Sequence, residues 1–215
     1  GEEEWGQTLP PNFVYQKVVT GRDHSCGISE LGQVLCWGRD NYGQTSPPSG
    51  SFSKIAVGYY HACAIETGSG SIVCWGNDSA GETIPPAGVF TDISAGDSHT
   101  CAINSAGTIQ CWGYNGVGQA APPTGSFTQI SLGASHSCAI NAARTTQCWG
   151  SNLDGQLSFA SGKMTQVVAG KVSNESGRNV FLSFFSKQKE FVQPLKKNHL
   201  SQTHEKSIFR PFFTL

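Results

Sequence analysis

Long apolar runs are missing from this chain. No stretch of its 215 residues approaches eighteen consecutive apolar positions, so no membrane-spanning helix is expected and this segment is read as making no membrane contact. Charge is scarce at 13% of residues, and it is unevenly spread. Residues 1–170 hold 6 Lys/Arg against 12 Asp/Glu, while residues 171–215 hold 8 against 3. A region so poor in cations argues against nucleic acid as a partner, because sequence-independent binding needs Lys and Arg to neutralise phosphates. The chain opens Gly-Glu-Glu-Glu-Trp with no charged-then-apolar leader, which leaves secretion open. Cysteine is wholly absent after residue 148, so the eight cysteines share one region.

Glycine is abundant, at 26 residues, and it recurs in register. Self-alignment gives one unit: aromatic-x-x-Ile/Val-x-x-Gly-x-x-His-x-Cys-x-Ile, a turn, Cys-Trp-Gly, four variable residues, then Gly-Gln-x-x-Pro-Pro. The unit recurs at His24/Cys26, His61/Cys63, His99/Cys101 and His136/Cys138, with Cys-Trp-Gly beginning at Cys36, Cys74, Cys111 and Cys148. The offset is 37 or 38 residues, too short for a domain; such a unit buries its faces against its neighbours. Apolar residues alternate within segments of four to six, which predicts strands. In the third copy these run over 90–95, 99–104 and 108–113, the last two forming a hairpin across Ser105-Ala106-Gly107. Pairing Ile103 with Ile109 sets Cys101 opposite Cys111 and sends Trp112 to the other face, beside Ala102. The reading is an all-β, β-propeller-type array of about four three-stranded blades, incomplete and open, with a non-repeat C-terminal tail. Residues 1–21 form a partial preceding repeat, 22–170 hold four tandem repeats and the start of a fifth, and 171–215 are a basic, Phe-rich tail, disordered or a cap. The same change of composition would follow from read-through past an exon boundary.

Repeat symmetry selects four bridges within single blades: Cys26–Cys36, Cys63–Cys74, Cys101–Cys111 and Cys138–Cys148. Directly opposed antiparallel residues lie within disulfide reach, and such bridges imply an oxidising compartment. The alternatives are reduced cysteines in a cytosolic propeller, or zinc held by His-x-Cys and the second Cys. The Cys-to-Cys spacing is not that of a metal knuckle and each site would want a fourth ligand, so no metal is expected. The four histidines are read as structural, each bonding a neighbouring loop, because no repeated carboxylate or serine accompanies them as a catalytic partner. No cofactor is expected and the chain is not read as an enzyme. Trp37, Trp75, Trp112 and Trp149 are assigned to packing between blades rather than to an exposed sugar-binding row.

Positions that differ among copies are free to make specific contacts. They cluster before each His and after each Cys-Trp-Gly, giving Arg22, Asp23, Arg39, Asp40, Tyr42, Tyr59, Tyr60, Asp97, Tyr114 and Asn115 as candidate binding residues for a protein ligand. Tyr59-Tyr60 beside Arg22 and Tyr42 is the leading patch. Asn77-Asp78-Ser79 and Asn174-Glu175-Ser176 fit the glycosylation acceptor pattern, with Asn77 the favoured site.

At the Gly-x-x-His-x-Cys-x-Ile and Cys-Trp-Gly elements, over about residues 5–170, the sequence resembles the regulator-of-chromosome-condensation repeat superfamily. The likeness is to its short-repeat branch, which includes plant crinkly-type receptor kinase ectodomains and a bacterial β-lactamase-inhibitory propeller. The resemblance implies a propeller that binds proteins through its loops and that is completed by further repeats of the full-length protein. Nuclear members have longer repeats and lack the paired cysteines. The expected function is therefore a non-catalytic, extracellular or secreted protein-interaction module or receptor ectodomain. A lectin-like propeller and an intracellular GTPase exchange-factor-like regulator stand as alternatives.

Overall fold

Within the repeats, alternating small and apolar side chains, broken every few residues by Gly-containing turns, favour strands over an amphipathic helix. The computed structural model describes residues 4, 6, 8–158 and 163–170. Twelve strands occur there in four antiparallel sheets. The first blade contains β1 (Lys17–Thr20), β2 (His24–Ile28) and β3 (Val34–Gly38); the second β4 (Phe52–Val57), β5 (His61–Glu66) and β6 (Ile72–Gly76). The third contains β7 (Phe90–Ala95), β8 (His99–Asn104) and β9 (Ile109–Gly113), and the fourth β10 (Phe127–Leu132), β11 (His136–Asn141) and β12 (Thr146–Gly150). Because β1 pairs with β2, the strand within residues 1–21 is the inner strand of the first blade. The tail at 171–215, with its acceptor pattern at Asn174, lies outside the described residues.

Register follows the expected cysteine pairing, with one correction. Cys101 faces Cys111 and Ile103 faces Ile109, but Trp112 faces Thr100, while Ala102 lies opposite Gln110 and only diagonal to the indole. The middle-strand residue one after His therefore sits under each tryptophan: Ser25, Ala62, Thr100 and Ser137. The third strand also begins at Ile109, one residue later than expected. A bulge interrupts the inner strand of blades two to four, at Phe52/Lys54, Phe90/Asp92 and Phe127/Gln129. It turns the buried phenylalanines into the joint while keeping the rest of the strand in register.

Each blade has a cysteine face and a tryptophan face, and one blade's cysteine face packs on the next blade's tryptophan face. The second joint shows the pattern: Cys63, Cys74, Ile65 and Ile72 meet Phe90, Ile93, Ala102 and Trp112. Equivalent cores fill the first and third joints. Among the described residues no such core returns from the fourth blade to the first, so the four described blades form an open array. Residues 163–170 supply the place of a fifth inner strand. Ala169 N donates to Ser131 Oγ at 2.9 Å, repeating the bond from Leu132 N to Ser94 Oγ one blade earlier. The inner strands converge around an axial hollow of about 300 Å³.

Candidate functional site

In an antiparallel three-stranded blade, the loop between the first and second strands and the loop after the third leave from the same end. Backbone bonds tie them together: Arg39 N to Asp23 O, Asn77 N to Tyr60 O, Tyr114 N to Ser98 O and Ser151 N to Ser135 O, at 2.7–2.9 Å. Both sets of variable positions thus lie at one end of the molecule. The inner loops are also joined blade to blade, Tyr59 N to Asp97 O and Asp97 N to Ala134 O.

Six of the candidate residues meet at the joint of the first two blades. The Arg22 guanidinium lies 4.6 Å from the Tyr59 ring centroid and donates to the Tyr60 hydroxyl at 3.1 Å. Tyr59 and Tyr60 pack edge to face at 4.6 Å, and Tyr42 tilts against Tyr60 at 5.3 Å. Arg39 reaches Asp23 at 3.3 Å and lies 5.9 Å from the Tyr60 ring; Arg22 reaches Asp23 at 3.6 Å. Burial raises the Tyr59 hydroxyl above its ordinary pKa, with Arg22 opposing and Tyr60, Asp97 and Asp23 adding to the rise. Asp97 therefore borders the cluster.

The other candidates sit differently. Desolvation alone would raise the Asp40 carboxyl, but bonds from Thr45, including Thr45 N at 2.7 Å, and from Ser46 Oγ, with the nearby His24, together hold it below its usual range. Asn115 accepts from Ala120 N in the same way, as Asp78 and Asn152 do from Thr83 N and Leu157 N. Their oxygens thus stabilise the outer loops. Tyr114 is half exposed on the outer loop of the third blade. Asn77 is half-buried, and its amide donates to Ser79 Oγ at 2.8 Å and to Glu82 Oε1 at 3.4 Å.

All four cysteine pairs are disulfide-bonded, with Cα atoms 4.0–4.1 Å apart. Trp75, Trp112 and Trp149 are buried in the joints, each donating its indole N–H to the carbonyl of Gln44, Glu82 or Gln119 in the preceding link at 2.9–3.1 Å. Trp37, in the first blade, is half-buried beside Tyr15 at 5.5 Å, against a hollow of about 640 Å³. The histidines are buried, but two of them reach a strand rather than a loop. His61 Nε2 bonds Thr100 Oγ1 at 2.8 Å and His99 Nε2 bonds Ser137 Oγ at 2.9 Å, each in the next blade. Ser137 donates onward to Gln119 O at 3.1 Å, so its hydroxyl accepts from an Nε2-protonated His99. The Gly-Gln position was the least legible of these. Gln44, Glu82, Gln119 and Gln156 are buried and each accepts from a backbone N–H of its own loop, at residues 42, 80, 117 and 154. Its recurrence as Gln in three copies and Glu in the second is the signal in the sequence, and its role emerges only from the fold of the loop. The cysteines are thus joined to one another, and the His61 and His99 imidazoles bond hydroxyls of the next blade. Among the described residues no group of three His, Cys, Asp or Glu is placed to hold a metal ion.

Stacked three-stranded sheets with a conserved-in-repeat interior and one variable loop end define a repeat protein of the β-propeller class. The regulator of chromosome condensation (RCC1) repeat model matches residues 15–44, 52–82, 90–119 and 127–156, more than half of the chain. The chain belongs to that repeat family. No curated protein matches it significantly. Among solved structures it is similar to the ectodomain of the Physcomitrella patens receptor kinase CR4, with a TM-score of 0.65, 23% identity, and coverage of 79% of this chain and 49% of that one. It is likewise similar to the CRINKLY WD40 ectodomain of the Arabidopsis thaliana receptor kinase ACR4, at 0.60 and 23%, covering 76% and 60%. Prp20p from Saccharomyces cerevisiae, a structure described with its binding properties to Gsp1p and histones, matches at 0.61 and 16%, covering 72% and 49%. At these identities the likeness establishes the fold. The chain spans about half the length of these relatives.

Proposed function

We propose that this chain is a non-catalytic, extracellular protein-binding module that takes its partner at the loop end of the first two blades. The observation that carries this is the Arg22–Tyr42–Tyr59–Tyr60 cluster. Four side chains at positions that vary among the repeats assemble on one surface, in a mixture of aromatic area and hydrogen-bonding groups suited to a protein hot spot. The extracellular setting is supported by the four disulfides, which persist in oxidising compartments, and by the receptor ectodomains among the similar structures. A row of tryptophans for sugar binding is not supported, because three of the four lie buried in the joints. On the same reading, the Trp37 face receives the cysteine face of another repeat of the full-length protein, and Asn77 carries a glycan at the edge of the second blade.

Replacing Tyr59 and Tyr60 together with Ala tests the proposal. Capture of an extracellular protein by the chain, read by affinity purification from extracellular fluid, is expected to fall at least tenfold, the cost of losing about 1.4 kcal/mol or more at a hot spot. The thermal midpoint should stay close to that of the parent. Undiminished capture would refute the placement of the site.

A further inference from the structure

Only two cations, Arg22 and Arg39, stand on the variable loops of this end among the described residues. Five carboxylates, of Asp23, Asp40, Asp78, Asp97 and Asp154, share those loops. The two arginines are held differently. Arg39 pairs with Asp23 at 3.3 Å, and with the Asn41 amide turned oxygen-first, the orientation that satisfies both groups, it donates to that oxygen at 2.8 and 3.1 Å. Arg22 has the longer contact to Asp23, at 3.6 Å, and its side chain is 51% exposed. Its guanidinium rests against the Tyr59 ring and donates to the Tyr60 hydroxyl, with Tyr42 forming a further tilted wall behind Tyr60. An exposed ion pair of this length contributes little, so the side chain is cheap to move. The surface left behind would be an aromatic face, a hydroxyl acceptor and a carboxylate, already shaped around a planar cation.

We propose that the Tyr59–Tyr60 surface is a cation-binding cage whose resident occupant is Arg22, and that a protein partner inserts an arginine side chain in its place. The incoming guanidinium stacks on Tyr59, donates to the Tyr60 hydroxyl and faces Asp23. Cation–π attraction, hydrogen bonding and the negative charge of the loop end then act in one direction. An acidic or phosphorylated partner could use Arg22 as an anchor instead, but it would bring its charge beside Asp23, Asp40 and Asp97. This inference rests on the proposed protein-binding function and names the chemistry of that site.

The test uses the full chain and alternating arginine–glycine peptides, with citrulline–glycine, lysine–glycine and glutamate–glycine versions for comparison, followed by fluorescence anisotropy. The arginine peptide is expected to bind, the lysine peptide more weakly, and the neutral citrulline and acidic glutamate peptides not at all. Arg22→Ala should tighten arginine-peptide binding by a factor of roughly two to five, by emptying the cage. Tyr59→Leu, which changes no charge, should abolish binding, while Tyr59→Phe keeps the ring and should retain it. Should the leucine variant fail to fold, the Arg22→Ala result still decides. Weaker arginine-peptide binding in Arg22→Ala, equal binding of citrulline, or unchanged binding in a folded Tyr59→Leu variant would each overturn the cage. Loss of protein capture in the double tyrosine variant, with no arginine-peptide binding, would overturn the cage and leave the protein-binding function standing.

Discussion

Gly21, Gly58, Gly96 and Gly133 are fixed by space rather than by a left-handed backbone. Each backs onto the ring of the histidine three residues later and onto the carbonyl of the equivalent glycine one repeat on, the last of these being Gly170. For Gly96 a Cβ would stand 2.6 Å from Gly133 O as well as against the His99 ring. Both neighbours are confined by the joint, so Gly96→Ala should cost about 1–3 kcal/mol, the usual penalty for overpacking. Denaturant unfolding measures it, and a neutral result would show that the blades can shift apart. His136 gives a second, electrostatic prediction. Burial lowers its pKa below 6.5, so the folded chain favours the neutral ring while the unfolded chain takes up a proton at about pH 6.5. Stability from this group is present above that pH and is lost as the pH falls through it. Unfolding free energies at pH 7.5 and 5.5 should therefore differ less in His136→Gln than in the parent; an unchanged difference would place the pH dependence elsewhere.

At the scale of the blade, the disulfide links the outer two strands directly beneath the next blade's tryptophan face. Cys101 and Cys111 belong to the core shared with Phe127, Ile130 and Trp149. Replacing both with Ala removes a bridge of sequence separation 10, for which loop entropy predicts a loss of about 2–3 kcal/mol. A loss well above that, in calorimetry or denaturant titration, would assign the excess to packing in the joint. The blade was largely legible in the sequence because its cues are local and repeated. Alternation gave the strands, and Ile103 opposite Ile109 gave the cysteine pairing. What failed needed a second blade. The residue under Trp112 is Thr100, and its hydroxyl faces His61 across the joint, a contact no spacing within one repeat reveals. The bulges after Phe52, Phe90 and Phe127 likewise answer to the neighbouring sheet. The tyrosine–arginine cluster could be anticipated because its members occupy equivalent loop positions in adjacent copies. Its internal arrangement, with Arg22 on Tyr59 and Arg39 turned to Asp23, depends on side-chain competition that the sequence does not encode locally.

Across the whole molecule, blades touch their neighbours in sequence, and the joints differ chemically. The second and third joints each contain a buried His–hydroxyl bond, His61 to Thr100 and His99 to Ser137. The first joint has Ala62 at the hydroxyl position, and the surface cluster of Arg22, Tyr59 and Tyr60 bridges it from the loop end. Where stability is a sum of blade terms and nearest-neighbour terms, damage to one joint stays near that joint. Ser137→Ala deletes the acceptor for His99 while Trp149 keeps its bond to Gln119 O. A buried polar group left without this bond costs about 1–3 kcal/mol, so amide exchange in β7 to β12 should speed up by roughly five- to a hundredfold. Amides in β1 to β3 should change by less than about twofold if coupling is confined to adjacent blades. Native-state hydrogen exchange resolved by peptide separates the two outcomes. An equal loss of protection in β1 to β3 would mean that the array unfolds as one unit, and a partner gripping the first two blades would then stabilise the fourth blade as strongly as the first.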